Sequence, residues 1–226
     1  MRIAVIDTTI GSETTNESHV FLPGFIRGLT AAGHEVRLIG APAAAEETFR
    51  PFEDSGAILE TDLWQADGFV EETAPVFAQR LNALAPDVYL ISASDDIGWV
   101  VLPMLKPAIA TLAIGYTDSE AFYLPVRHYR AFLTRVVGVT PEVCVGYVLS
   151  CVLDKEKVEW ISHDEPEPPG GGDENLRKIV ESYENCFEKA VAEAKNFPRE
   201  TYSDYPLMET CRSRFPLWLR KLKAKL

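Results

Sequence analysis

From Arg2 to Ser162 the chain alternates short apolar runs with helical stripes, and few folds accept that alternation. A parallel strand buried on both faces reads as a near-continuous apolar run, as Arg2-Ile3-Ala4-Val5-Ile6-Asp7 does. Thr8 through Ser18, with Gly11 among them, form a polar loop. Val20, Phe21, Phe25, Ile26 and Leu29 then mark one face of a helix that stops at Gly33. Glu35-Val36-Arg37-Leu38-Ile39-Gly40 is the next strand, completing a unit whose crossover is right-handed in nearly every case.

The pattern recurs. The spacing predicts a helix over 69–84, blemished by Pro75, and a strand over 88–92 after Pro86-Asp87. It predicts a helix over 98–105, a strand over 108–114, a helix over 121–133 and a strand over 135–139. Thr140-Pro141-Glu142 is an N-cap with proline at the first helical position, opening a helix through Val152. Val158 to Ser162 is the last strand. The expected fold class is therefore α/β, a Rossmann-like parallel sheet with helices on both faces.

Asp164 to Asp173 then bring Pro166, Pro168 and Pro169 and three consecutive glycines, which continue neither regular structure. Beyond them only helices are expected. Leu176, Ile179, Val180, Tyr183, Phe187, Ala190, Val191 and Ala194 make one helical stripe, and Phe215, Trp218, Leu219, Leu222 and Leu226 a second. The expected organisation is a domain over 1–165, a linker over 166–175, and C-terminal helices over 176–226 that pack back on the domain.

Composition bounds the function. At ~150 residues per domain, 226 residues make one large domain or one and a half. With 46% hydrophobic and 25% charged residues, the chain matches ordinary folded proteins rather than disordered ones. No run approaches the ~20 apolar residues of a membrane span, and Met1-Arg2 leads directly into a strand, so neither a signal peptide nor a span is expected. Cys144, Cys151, Cys186 and Cys211 have no CxxC spacing and no clustered histidines, so reduced thiols in a cytoplasmic protein are expected, without a metal.

Acids outnumber bases 34 to 22, which argues against nucleic acid as a partner. Arg212, Arg214, Arg220, Lys221, Lys223 and Lys225 nevertheless give the last fifteen residues a charge of +6, leaving −18 on the rest. A basic stripe carrying Phe215 and Trp218 suits peripheral contact with an anionic inner membrane face. Its apolar side equally suits packing on the acidic body, which is the expectation for that side, and the role of the cations stays open.

Open parallel sheets bind ligands beyond the carboxyl ends of their strands, so the residues following each strand are the candidates. After the first strand come Gly11 and Ser12, without the GxGxxG spacing of a dinucleotide site, and no cofactor is expected. A glycine loop before a helix admits a phosphate or sugar hydroxyl, and equally reads as an ordinary turn. Ser92-Ala93-Ser94-Asp95-Asp96 and Gly115-Tyr116-Thr117-Asp118-Ser119-Glu120 follow two further strands. Convergent carboxylates and hydroxyls suit sugar hydroxyls, which both donate and accept. Asp95 and Ser119 singly suit helix caps. His19 lies near the same edge, whereas His34, His128 and His163 read as structural, His163 either lining the cleft or only ending the last strand. There is no Ser-His-Asp set and no P-loop.

These residues have a familiar order. Glu17-Ser18-His19-Val20 leading to Gly33-His34-Glu35-Val36 resembles the opening of GT-B glycosyltransferases of the family-four type, with its "GHEV" turn. Pro86-Asp87-Val88 resembles that family's "PDV" strand entry, and Val136-Val137-Gly138-Val139-Thr140-Pro141-Glu142-Val143 its "vvgVSe.v" segment. Glu156-Lys157-Val158-Glu159-Trp160-Ile161 resembles its "ekv.vIpnG". The resemblance implies an acceptor-binding N-terminal domain, with a nucleotide-sugar domain missing where Pro168-Pro169-Gly170-Gly171-Gly172 stands, and terminal crossover helices after it.

It further implies metal-independent, retaining transfer from a nucleotide-diphosphate sugar to a sugar or glycan acceptor. The isolated half would be inactive, since the groups that clamp the donor diphosphate belong to the absent domain. The family often has a histidine just after the fifth strand, where this chain has Gly115-Tyr116-Thr117-Asp118. Tyr116 and Asp118 are accordingly the expected catalytic residues, with Gly11, Ser12, His19, Asp95, Asp96 and Thr117 binding substrate. The alternative is a non-enzymatic Rossmann-like module that binds a small molecule in its own cleft.

Overall fold

A computed structural model describes residues 1–10, 17–42, 46–63, 70–94, 96–163 and 172–196, with the backbone alone at 17–20, 46–48, 71, 121, 172 and 173. Its strands are β1 (Arg2–Asp7), β2 (Glu35–Ile39), β3 (Ile58–Glu60), β4 (Val88–Ala93), β5 (Ala110–Gly115), β6 (Arg135–Gly138) and β7 (Val158–Trp160). They form one sheet in the order β3-β2-β1-β4-β5-β6-β7, every pairing parallel. The helices are α1 (Glu17–Ala31), α2 (Val70–Leu84), α3 (Asp96–Val100), α4 (Glu120–Tyr129), α5 (Pro141–Ser150) and α6 (Gly172–Asn196). This is the α/β, Rossmann-like architecture the alternation predicts.

The period-2 geometry of the strands divides the core into two layers. Ile3, Val5, Leu90 and Leu112 face α1 and α6, while Ala4, Ile6, Tyr89 and Ile91 face α2, α3 and α5. Leu22, Phe25, Ile26 and Leu29 of α1 are fully buried, each contributing about 1.5–3 kcal/mol of apolar burial. Gly33, at φ +87, ends α1 where a left-handed residue is required. Its N–H reaches the Thr30 carbonyl and the His34 N–H the Leu29 carbonyl, satisfying the last turn. Thr140 caps α5 as expected, accepting from the Val143 N–H at 3.3 Å, with Pro141 beside it.

Helix α6 returns across the sheet and lies on α1. Close approach depends on glycine: a Cβ at Gly28 would stand 2.6 Å from Val180 Cγ2, and one at Gly24 would touch Leu176. Charged groups hold its outer side. Buried Arg135 pairs with Glu159 at 2.6 Å and with Glu193 of α6, and Lys189 of α6 meets Glu159 at 3.0 Å. His34 Nε2 lies 2.8 Å from Glu184.

Some expected boundaries are corrected. Helix α6 begins at Gly172, so residues 172–175 of the expected linker are helical. Glycine marks a stop locally, but Leu176 packed on α1 and Lys178–Glu174 and Arg177–Glu181 pairs carry the helix back through it. The helix expected over 98–105 is α3 followed by a 3-10 turn at Leu102–Met104, where Pro103 removes a backbone donor. The helix expected over 121–133 ends at Tyr129 and tightens into a 3-10 turn, Arg130–Phe132. Helix α5 ends at Ser150 rather than Val152, because Val152 adopts φ +56.

Edge strand β3 and the 3-10 helix Glu46–Ser55 before it were not anticipated. The second apolar stripe, at 215–226, lies outside the described residues. Among the described residues no helix is long and apolar enough to cross a membrane.

Candidate ligand site at the carboxyl edge of the sheet

Strand order reverses between β1 and β4, so the chain leaves the sheet in opposite directions there and opens a crevice beyond the strand ends. A bulge sits at this point. Ile6 pairs with Ile91 but Asp7 pairs with Ala93, leaving Ser92 as the additional residue of β4. Asp7 is fully buried. One carboxylate oxygen accepts from the Thr9 N–H at 3.0 Å and the Thr9 hydroxyl at 2.6 Å; the other accepts from the Ser92 hydroxyl at 3.2 Å.

Tyr116, directly after β5, extends this row. Its hydroxyl lies 3.0 Å from Ser92 Oγ and is itself buried. The single Ser92 proton is committed to Asp7, so the tyrosine donates in the shared bond. A directed row of hydrogen bonds thus runs from Tyr116 through Ser92 to Asp7, tying three strand ends together.

An aromatic group adjoins it. His163, just after β7, stacks on Phe21 of α1 with ring centroids 3.7 Å apart and planes 17° apart. It meets Tyr116 edge-on at 5.8 Å. Its Nε2 lies 3.0 Å from the hydroxyl of fully buried Tyr183 on α6. Burial lowers the His163 pKa to about 4, so the imidazole is neutral at pH 7. Burial pushes the Tyr183 phenol well up. The returning helix therefore supplies a polar side chain to the same edge as β1, β4 and β5.

The expected site residues divide. Tyr116 is in the row. Thr117 is half-buried beside it and Asp118 is exposed, its Oδ1 accepting from the Tyr123 hydroxyl at 2.8 Å. That bond secures the turn into α4. Asp96 is exposed at the start of α3. His19 lies on α1, with its side chain outside the described part, and Gly11, Ser12 and Asp95 lie outside the described residues. Ser119 stands at the N-cap of α4 but forms no side-chain cap bond.

Asp7, Tyr183 and Phe21 were not singled out as site residues from the sequence, and Ser92 was read only as one of the polar run after its strand. Asp7 ends a strand rather than following it, and a buried carboxylate closing an apolar strand is the signal that could have drawn attention to it. His163 does line this edge.

Other chemistries find little support among the described residues. No three His, Cys, Asp or Glu side chains are grouped to hold a metal ion. Cys144, Cys151 and Cys186 are free thiols, and burial raises all three, Cys186 to about 12, which disfavours a thiolate nucleophile. Cys211 lies outside them.

Comparison with solved structures places the fold. A glycosyltransferase from Rickettsia africae ESF-5 superposes with a TM-score of 0.53 at 12% identity, over 81% of this chain and 49% of that one. UDP-GlcNAc 2-epimerase from Neisseria meningitidis, bound to UDP-GlcNAc, gives 0.52 at 13% identity, over 88% of this chain and 53% of that one. At such identities the likeness is one of fold. The chain spans about half the length of these structures. No family model and no curated protein matches the sequence.

Proposed function

We propose that the chain is the acceptor-binding half of a GT-B glycosyltransferase of the family-four type, one that works with a second, nucleotide-sugar-binding domain. The observation that carries this reading is the row of Asp7, Ser92 and Tyr116 at the point where strand order reverses. These buried groups bond one another and so fix the ends of β1, β4 and β5, the edge at which a polyhydroxylated ligand would lie. The coverage of about half of each matched structure supports the two-domain part of the proposal.

In the complete enzyme the acceptor hydroxyl would attack the anomeric carbon, forming the new glycosidic bond. The bond to the nucleoside diphosphate breaks, the diphosphate leaves with the electron pair, and the proton of the acceptor hydroxyl passes to the departing diphosphate oxygen. Tyr116 and Asp118 are the residues proposed nearest that hydroxyl, with Gly11, Ser12, His19, Asp95, Asp96 and Thr117 around the acceptor. Stabilising a departing diphosphate needs cationic or N–H groups aimed at it, and these are assigned to the other domain. The basic C-terminal segment, +6 over fifteen residues, is proposed to meet anionic lipid.

Calorimetric titration tests the reading. N-acetylglucosamine should bind weakly, a Ser92→Ala variant should lose that binding, and no sugar should be released from UDP-N-acetylglucosamine. Turnover, or donor affinity matching that of an intact two-domain enzyme, would refute the missing-domain argument. Co-sedimentation with anionic vesicles, with and without residues 212–226, tests the tail: equal binding removes the lipid role.

A further inference from the structure

The His163–Tyr183 pair has a proton arrangement that bears on ligand binding. Tyr183 is fully buried on α6, and the hydrogen bond the structure gives its hydroxyl is to His163 Nε2, at 3.0 Å. Two arrangements satisfy that distance. In one, Nε2–H donates to the phenol oxygen, and the phenol proton of this fully buried residue is left without an acceptor among the described residues. An unpaired buried donor of this kind costs about 1–3 kcal/mol. In the other, the phenol donates to Nε2, and the donor left over is Nδ1–H, on a ring that is partly open rather than fully buried. The second arrangement wins on that cost. It requires the ring proton of a neutral imidazole to sit on Nδ1.

Nδ1 has no hydrogen-bond partner among the described residues, and His163 is partly open, unlike Tyr183. The ring plane is fixed by the stack on Phe21 and the edge contact to Tyr116. We propose that His163 is a ligand-binding residue whose Nδ1–H, oriented by Tyr183 as a positioning residue, donates to a lone pair on a sugar oxygen at this edge. His163 thus supplies the ligand with a hydrogen-bond donor, whereas the Tyr116 hydroxyl donates inward to Ser92. A neutral donor suits a hydroxyl or carbonyl oxygen, because it adds polarity without a buried charge. The role of Nδ1–H toward a sugar rests on the functional reading above, whereas the tautomer does not.

The two parts are tested separately. Long-range proton–nitrogen NMR of the labelled full chain reports which ring nitrogen carries the proton. The expected result is Nδ1–H for His163, unchanged from pH 8 to pH 6, and loss of that preference in Tyr183→Phe. An Nε2–H tautomer in the wild-type chain, or no change in Tyr183→Phe, overturns the arrangement, whatever the chain binds. For the ligand, N-acetylglucosamine should move the Nδ1 resonance, whereas inorganic phosphate should not.

His163→Phe keeps the aromatic stack and loses the donor, so sugar affinity should fall about 3–10-fold. His163→Asn, which restores a donor, should recover part of it. Thermal melts of each variant establish that it is folded. Phosphate moving the resonance while the sugar does not would overturn the sugar assignment. An Nδ1–H tautomer with neither probe bound would overturn both that assignment and the functional reading, while leaving the proton arrangement intact.

Discussion

Tyr147 on α5 is the sharpest point at which the packing can be tested. Its ring is fully buried against Tyr123 and its hydroxyl has no hydrogen-bond partner among the described residues. That hydroxyl fills the space a side chain would take at Gly115, the last residue of β5, where an added Cβ would overlap it. A buried hydroxyl without a partner costs about 1–3 kcal/mol. Tyr147→Phe removes the cost and leaves a void of roughly 10–15 Å³. At ~24 cal/mol per Å³ such a void costs only about 0.3 kcal/mol. The variant should therefore be more stable by about 1–2.5 kcal/mol.

For a domain of this size, 1 kcal/mol corresponds to about 2–4 °C in Tm. Scanning calorimetry should show a rise of that order, and urea titration a higher midpoint at unchanged slope. A loss of 1 kcal/mol or more would mean that the hydroxyl is satisfied, and would refute the reasoning. Gly115→Ala offers a companion measurement: its cost should be smaller in the Tyr147→Phe background, since the nearest overlapping atom is gone.

Three further outcomes are expected. Arg135→Ala leaves partly exposed Glu193 without its partner and Glu159 with Lys189 alone, so about 1–2 kcal/mol should be lost, with faster amide exchange in α6 than in β5. Val152→Gly relieves a β-branched residue at φ +56 and should stabilise by about 1 kcal/mol in denaturant titrations. His163 is lowered by burial to about 4, below its unfolded value of about 6.5, so the unfolded chain binds more protons between them. Stability should fall as pH drops from about 6.5 to about 4, and His163→Phe should flatten that slope by roughly 2–3 kcal/mol over the window.

The architecture was readable because both-face burial makes β1, β4 and β5 continuous apolar runs, and because Gly33 and Thr140-Pro141 punctuate the helices by local chemistry. Edge strand β3 was not, since three residues with Ile58 and Leu59 largely exposed carry no periodic signal. The start of α6 was hidden for the opposite reason: Gly170-Gly171-Gly172 reads as a break, and packing of Leu176 against α1, with the ion pairs of the first turns, extends the helix. At the site, Tyr116 was legible as a polar residue following a strand. Asp7, and the contact that joins it to Ser92, were not, because that contact arises at a bulge between strands far apart in sequence. Tyr183 reads as one more position of an apolar stripe, and nothing local shows that its hydroxyl meets an imidazole twenty residues earlier.

The most direct test of the central proposal is an amide NMR titration of the wild-type chain with N-acetylglucosamine. The account predicts shifts confined to residues 7–9, 92–94, 115–118 and 161–163, around the carboxyl ends of β1, β4, β5 and β7. Those shifts should be reduced in Ser92→Ala. Shifts centred at the opposite edge of the sheet, or none at millimolar sugar, would contradict it.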